Sequence, residues 1–189
     1  SIPKLVSAME TAKSLKSPTV IHAKTIKGKG LEIADKHPYR LHFSQPYNRK
    51  DISSTSPVPK GTSFAKCVAE TIKAYEADIS ESGDNFYITA ATPYASSLDG
   101  FKELCGNRYI DVGMAEQQLL GIAAGIALKG GRANVFVQST FLQRSIDQII
   151  HDLAFMKLPV NIFAVRSGFA GQDSPTHHGI FDLSIYPSI

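Results

Sequence analysis

From residue 61 onward, short apolar runs alternate with stretches of helical period, and this alternation limits the fold more than any other property of the chain. Residues 86–90, 108–112, 133–138 and 159–165 read as strands, each rich in β-branched or aromatic side chains. Between them the spacing predicts helices. One starts at Thr62 or Ser63 and carries Phe64, Cys67, Val68, Thr71, Ile72 and Tyr75 on one face; others cover 98–104, 115–128 and 142–156. Strands separated by helices cannot be joined as hairpins. The expectation is therefore an α/β fold, with a mostly parallel sheet and helices on both faces. Ligands in such folds sit in the crevice beyond the carboxyl ends of the strands. That rule points to residues 91–97, 113–117, 139–144 and 166–179.

The first third reads differently. Leu5, Ala8, Met9, Ala12 and Leu15 recur at helical spacing after Pro3, and residues 19–25 read as a short buried strand before the basic turn Lys27-Gly28-Lys29-Gly30. One helix and one strand cannot close a core. Residues 1–34 are thus expected to be the tail of a domain that begins earlier. Residues 35–61 hold Pro38, Pro46, Pro57, Pro59 and a Ser-Ser-Thr-Ser run without periodicity, the composition of a linker. Residues 62–189 are expected to form one complete domain.

Composition excludes several classes. A net charge of +3, with acidic and basic residues interspersed, gives no footprint for nucleic acid. There is no run of 18 apolar residues to span a membrane and no basic segment leading an apolar one at the start. Cys67 and Cys105 stand apart, without C-x-x-C spacing, so free thiols in a reducing, cytoplasmic setting are expected.

The strand-end loops hold the candidate chemistry. Glu116 falls in the first turn of a helix, where the dipole alone favours a carboxylate. Its small and apolar neighbours Gly113, Met114 and Ala115 would also shelter it, raising its proton affinity and suiting it to proton transfer. Ser139 or Thr140 reads as an ordinary helix cap. Arg144 opposes the dipole of its own helix and so calls for an anion, either a ligand or an acidic side chain. Asp147 and His151 are spaced for a pair on one helix face. Residues 166–179 gather Arg166, Asp173, His177 and His178 with three glycines, more than a plain turn needs. Adjacent histidines point apart and no further ligand stands at metal spacing, so no metal site is assigned. Phosphate-loop, dinucleotide and nucleophile-elbow motifs are absent.

The run Asp111-Val112-Gly113-Met114-Ala115-Glu116-Gln117 resembles the pyrimidine-binding motif of transketolase-like thiamine diphosphate enzymes. Adding residues 139–144, Asp147-Gln148, His151-Asp152, Leu158-Pro159-Val160, Thr176-His177-His178-Gly179 and Phe181-Asp182-Leu183-Ser184, the chain resembles the 1-deoxy-D-xylulose-5-phosphate synthases over nearly its whole length. The resemblance implies a transketolase-like pyrimidine-binding fold and a homodimer. It also implies condensation of pyruvate with glyceraldehyde 3-phosphate on thiamine diphosphate, feeding isoprenoid, thiamine and pyridoxal synthesis. By the same resemblance, Glu116 would hydrogen-bond N1′ of the aminopyrimidine and promote the tautomer that removes the thiazolium C2 proton. Phe141 would stack on that ring. Arg144, Arg166, Asp173 and His177 would line the substrate side, and His42 would approach the reacting centre. Mg²⁺ and the diphosphate would be held by a preceding domain.

Some positions depart from the family's pattern. Gln118 stands in place of a histidine, Gln138 of a tyrosine, Val165 of an aspartate, and Leu31 where an aromatic residue often meets the cofactor. These bear on substrate more than cofactor, so two alternatives stand beside the synthase. One is a related carboligase with another donor or sugar phosphate; the other is a non-catalytic interaction module.

Overall fold

A computed structural model describes residues 1–36, 41–42, 47–48, 62–78, 83–170 and 175–189. The chain divides into two compact units, Ser1–Pro59 and Lys60–Ile189.

In the first unit, helix α1 (Ile2–Ser14) has Pro3 in its first turn, where a missing N–H costs nothing, and it buries no side chain. Helix α2 (Glu32–Lys36) buries Ala34. Residues 19–25 do not form the expected strand: they carry no regular structure, and Val20 is 93% exposed. A strand needs a ladder partner, and the described residues of this unit hold no second strand.

The second unit is built on a four-stranded sheet of β1 (Asn85–Thr89), β2 (Tyr109–Asp111), β3 (Arg132–Gln138) and β4 (Val160–Val165), in the order β2-β1-β3-β4. All three ladders are parallel, with Ile88 opposite both Ile110 and Val135, and Val135 opposite Ile162. Successive strands are therefore joined by crossovers. Helix α3 (Phe64–Asp78) leads into β1, α4 (Phe101–Cys105) into β2 and α5 (Glu116–Leu128) into β3. Between β3 and β4 lies a distorted helical run: α6 (Ser139–Leu142), a 3₁₀ turn Gln143–Ser145, α7 (Ile146–Gln148) and a π turn Ile149–Ala154. It starts three residues before the predicted 142 because the chain enters helix directly from the last residue of β3.

Both faces of the sheet are covered, as the alternation predicted. Ile88, Ala90, Val135 and Val137 pack under Leu119, Leu120 and Ala123 of α5 and under Ile149 and Leu153. Tyr87 and Phe136 pack on the other face against Ala69, Leu98, Phe101 and Cys105, and Phe136 stacks on Phe163 at 4.6 Å. Each fully buried large side chain contributes roughly 1.5–3 kcal/mol.

Helix α3 corrects the predicted face. Phe64, at 78% exposed, projects outward with Cys67, Thr71 and Tyr75, whereas Val68, Ala69, Ile72 and Glu76 face the sheet. The reason is electrostatic. Glu76 is buried because Tyr87 donates to it at 2.6 Å and Arg108 at 2.7 Å, and this network turns the helix. Ser63 does cap the helix, accepting the Lys66 N–H at 3.2 Å.

Candidate functional site

The strand order β2-β1-β3-β4 reverses direction between β1 and β3, since chain leaving β1 goes one way and chain leaving β3 the other. In sheets of this kind ligands bind where such loops part, at the carboxyl ends of the strands. Two backbone features shape that edge. Ala91 after β1 and Arg166 after β4 hold left-handed φ values of 55° and 58°, each a strain of about 1–3 kcal/mol for a residue with a Cβ. The Asp111 carboxylate accepts the Ala91 N–H at 2.8 Å and the Gly113 N–H at 3.0 Å. It thereby clamps the exits of neighbouring strands, and Gly113 at φ 69° turns the chain into α5.

Glu116 is the first residue of α5 and is only 4% exposed. Its shelter is not purely apolar: Arg144 Nη1 donates to Glu116 Oε1 at 3.0 Å. Arg144 opposes the dipole of its own helix and finds its anion in Glu116, the acidic-partner alternative left open by the sequence. Its side chain remains 62% exposed, so the guanidinium has a face free to meet solvent or ligand. The same guanidinium lies 5.5 Å from the centre of the half-buried Phe141 ring. His177 meets that ring edge-on, with centroids 5.4 Å apart. Glu116, Arg144, Phe141 and His177 thus form one continuous chain of contacts, drawn from α5, the helical run after β3 and the loop after β4.

The two adjacent histidines do point apart. The Nδ1 of His177 lies 3.0 Å from the Thr176 hydroxyl, while His178 Nδ1 accepts the Ala170 N–H at 2.9 Å. Gln138, the last residue of β3, is buried. Arg166 is exposed at its strained position. Asp173 lies outside the described residues. His42 and Leu31 belong to the first unit, where Lys27 Nζ hydrogen-bonds His42 Nδ1 and Leu31 is 42% exposed. Among the described residues no three His, Cys, Asp or Glu side chains come together as metal ligands, and no helix is long and apolar enough to cross a membrane.

Two expectations are revised. Neither Ser139 nor Thr140 caps the helix; Ser139 donates to Asp182 Oδ1 at 2.6 Å, and Thr140 donates to the Thr176 carbonyl at 3.2 Å. The predicted Asp147–His151 pair gives way to His151–Asp152 at 3.0 Å, because residues 149–154 are wound as a π turn and the four-residue stagger is lost. Asp111 and Asp182 are the residues to which the sequence assigned no role, and Ser139 was read only as a helix cap. Only Asp111 left a local signal, an Asx two residues before a glycine at a strand end.

A family model described as "Transketolase, pyrimidine binding domain" matches residues 68–189. The chain is 40% identical over 185 residues to the 1-deoxy-D-xylulose-5-phosphate synthase of Gloeobacter violaceus, a span that covers 95% of this chain and 28% of that protein. It is 37% identical over 185 residues to 1-deoxy-D-xylulose-5-phosphate synthase 1 of Geobacter sulfurreducens, covering 97% and 28%. With the corresponding synthase of Caldanaerobacter subterraneus the identity is 39% over 195 residues, covering 100% and 30%. The chain therefore spans less than a third of the length of these relatives.

Proposed function

The chain belongs to the transketolase pyrimidine-binding domain family, and on that premise we propose that it supplies the pyrimidine half of a thiamine-diphosphate site in a 1-deoxy-D-xylulose-5-phosphate synthase. The reaction would condense pyruvate with glyceraldehyde 3-phosphate and release CO₂. One observation carries this reading: a buried carboxylate at a strand end, Glu116, in line with an aromatic ring, Phe141, and a histidine, His177.

The donor set fits an aminopyrimidine. Such a ring asks for one buried acid at its nitrogen edge and one apolar face, and Glu116 and Phe141 offer both. It does not fit a metal diphosphate among the described residues, which hold no ligand cluster. The reading therefore gives residues 62–189 the pyrimidine role and residues 1–34 the end of a diphosphate-binding segment, joined by 35–61. Mg²⁺ and the diphosphate would be held by that segment.

When bound, thiamine diphosphate supplies the electron sink that decarboxylation of a 2-keto acid needs. This chain's own residues would do the rest. Glu116 would hold a hydrogen bond to the ring nitrogen, with Arg144 fixing the carboxylate's orientation from its other side. Phe141 would give the ring a flat seat. The exposed face of Arg144, together with Arg166, would bind the anionic substrates, and Asp173 would line the same side. His177, against the edge of Phe141, would move a proton in the reaction; by the family resemblance His42 would serve catalysis and Leu31 the cofactor. A homodimer in the cytoplasm accompanies this reading.

Gln138 favours a second reading within the same class. Its Oε1 is buried with no hydrogen-bond partner among the described residues, so a polar substrate group or a water is called for there. A carboligase with another acceptor aldehyde would use it. The test is an assay of the holoenzyme, this chain together with its diphosphate-binding segment, with pyruvate, thiamine diphosphate and Mg²⁺. Formation of 1-deoxy-D-xylulose 5-phosphate from glyceraldehyde 3-phosphate is expected. Turnover only with a different aldehyde would replace the first reading by the second, and no condensation with any aldehyde would remove both.

A further inference from the structure

Around the loop that carries His177, three ties converge on the start of one helix. Ser139, fully buried, donates to Asp182 Oδ1 at 2.6 Å. Thr140, the next residue, donates to the Thr176 carbonyl at 3.2 Å. Gly179 lies between them in the chain and is wedged against the same serine: a Cβ added there would meet Ser139 Oγ at 2.1 Å and Ser139 Cβ at 2.7 Å. Gly168 and Gly179 exchange two backbone hydrogen bonds, at 3.0 and 2.8 Å, which close the loop at its base. The segment around His177 is thus held from behind by ties to Ser139 and Thr140.

Asp182 keeps this tie at a cost. Among the described residues its Oδ2 is buried without a hydrogen-bond partner, as is the Tyr186 hydroxyl one turn later, in the 3₁₀ turn that follows the short helix α8 (Asp182–Ile185). The Tyr186 hydroxyl is pushed up to about 12 by burial and then by the Asp182 charge. An aspartate that left both groups unsatisfied would be a poor choice if packing alone were needed.

We propose that Asp182 is a positioning residue: through the Ser139 hydroxyl it ties the far end of the His177 turn to the foot of the helix bearing Phe141 and Arg144, and so sets the His177–Phe141 contact. Its consequence for catalysis rests on the synthase reading; the contact itself does not. Ser139 supplies the link and Gly179 the clearance.

Nuclear magnetic resonance of the 189-residue chain tests the contact without any cofactor. The parent is expected to show a cross-relaxation peak between the Phe141 and His177 rings. Ser139→Ala and Asp182→Ala are expected to lose it while the amide signals of Ile88 and Val135 stay in place. Asp182→Asn keeps an oxygen to accept the serine proton and is expected to retain the peak. Should Asp182→Ala fail to fold, Ser139→Ala, which only removes one atom, decides the matter. A peak that survives Ser139→Ala, or that vanishes in Asp182→Asn, overturns the proposal.

In the holoenzyme, Ser139→Ala should lower kcat for condensation about 10- to 100-fold. C2 proton exchange and KM should stay within about two-fold, because Glu116 and the arginines are not moved. A parent enzyme without condensation activity would remove the synthase reading and leave the resonance result standing. A condensing parent whose Ser139→Ala variant is unaffected would remove the positioning role alone.

Discussion

The Arg144 guanidinium donates to the Glu116 carboxylate at 3.0 Å, joining the start of one helix to the second turn of another across the carboxyl ends of the strands. One partner is buried and the other largely exposed. That asymmetry separates what each should do when removed.

Removing the exposed partner leaves a buried carboxylate short of a donor. Arg144→Ala is expected to destabilise the chain by about 1–3 kcal/mol, less than for a wholly buried pair, because water can reach part of the site. Urea unfolding of the 189-residue chain reads this directly. Stability equal to the parent's would mean the pair is idle.

Removing the buried partner has a chemical effect instead. In the holoenzyme, Glu116→Ala and Glu116→Gln should abolish exchange of the thiamine C2 proton with solvent, followed by proton resonance in deuterated buffer. Near-normal exchange would reduce Glu116 to a carboxylate that merely suits a helix start.

At the opposite end of the sheet, burial works to raise the Glu76 carboxyl, but hydrogen bonds from Arg108 and Tyr87 outweigh it and hold the group below its usual 4.5. A lowered folded value means that the unfolded chain binds the proton more readily. Stability from this group is therefore complete above about 4.5 and is lost as pH falls below it. Arg108→Met should cost about 3 kcal/mol at neutral pH, since Glu76 is then a buried charge that keeps the Tyr87 hydrogen bond but has lost its cation. It should also flatten the acid limb of a stability-against-pH curve; an unchanged limb would assign that limb to other carboxylates.

Gly179→Ala tests the wedge at the Ser139 side chain. The added methyl cannot fit at 2.1 Å from Ser139 Oγ, so the loop or the serine must move. The expected loss is about 1–3 kcal/mol. The double variant Gly179→Ala/Ser139→Gly should lose less than the sum of the two single losses, and thermal unfolding of the pair against the singles shows whether it does.

His151 offers a titration that stands apart from the site. A hydrogen bond from the ring to Asp152, and that residue's charge, raise the imidazole above 6.5. Asp152→Asn should bring its ring-proton titration back toward that value, whereas Asp147→Asn should lower it less, because Asp147 acts on the ring through its charge alone and is the smallest of the causes. The reverse ranking would restore the helix-face pairing that the spacing suggested.

Those two histidine partners show where sequence reading holds and where it stops. The four strands of the second unit, the α5 helix and the parallel pairing followed from period and segment length, which are local, whereas the strand expected at 19–25 did not form. The same local rule placed Asp147 beside His151 and failed, since the helix turn there is wider than the rule assumes. The face of α3 failed for a different reason: Glu76 is drawn inward by Arg108 and Tyr87, partners at distant positions that no helical wheel contains. At the site, Glu116 and Arg144 were each flagged by their helix-dipole environment, but their mutual contact depends on how α5 and the run after β3 are laid over the sheet. Ser139 and Asp182 carry no signal alone. Each is an ordinary polar residue until the loop after β4 folds back.

The parallel sheet also sets the order in which these groups can meet. No neighbouring strands are joined by a hairpin, so every ladder requires a crossover to close before it gains a hydrogen bond. Folding of such a topology is slow compared with that of a helical bundle, and its barrier includes the chain entropy of those closures. Glu116 sits before β3 and Phe141 after it, so they come within reach only once β3 is seated beside β1. His177 joins after β4 has been added. A kinetic probe on the Phe141–His177 contact would therefore report the last event of refolding, later than the burial of Ile88 or Val135.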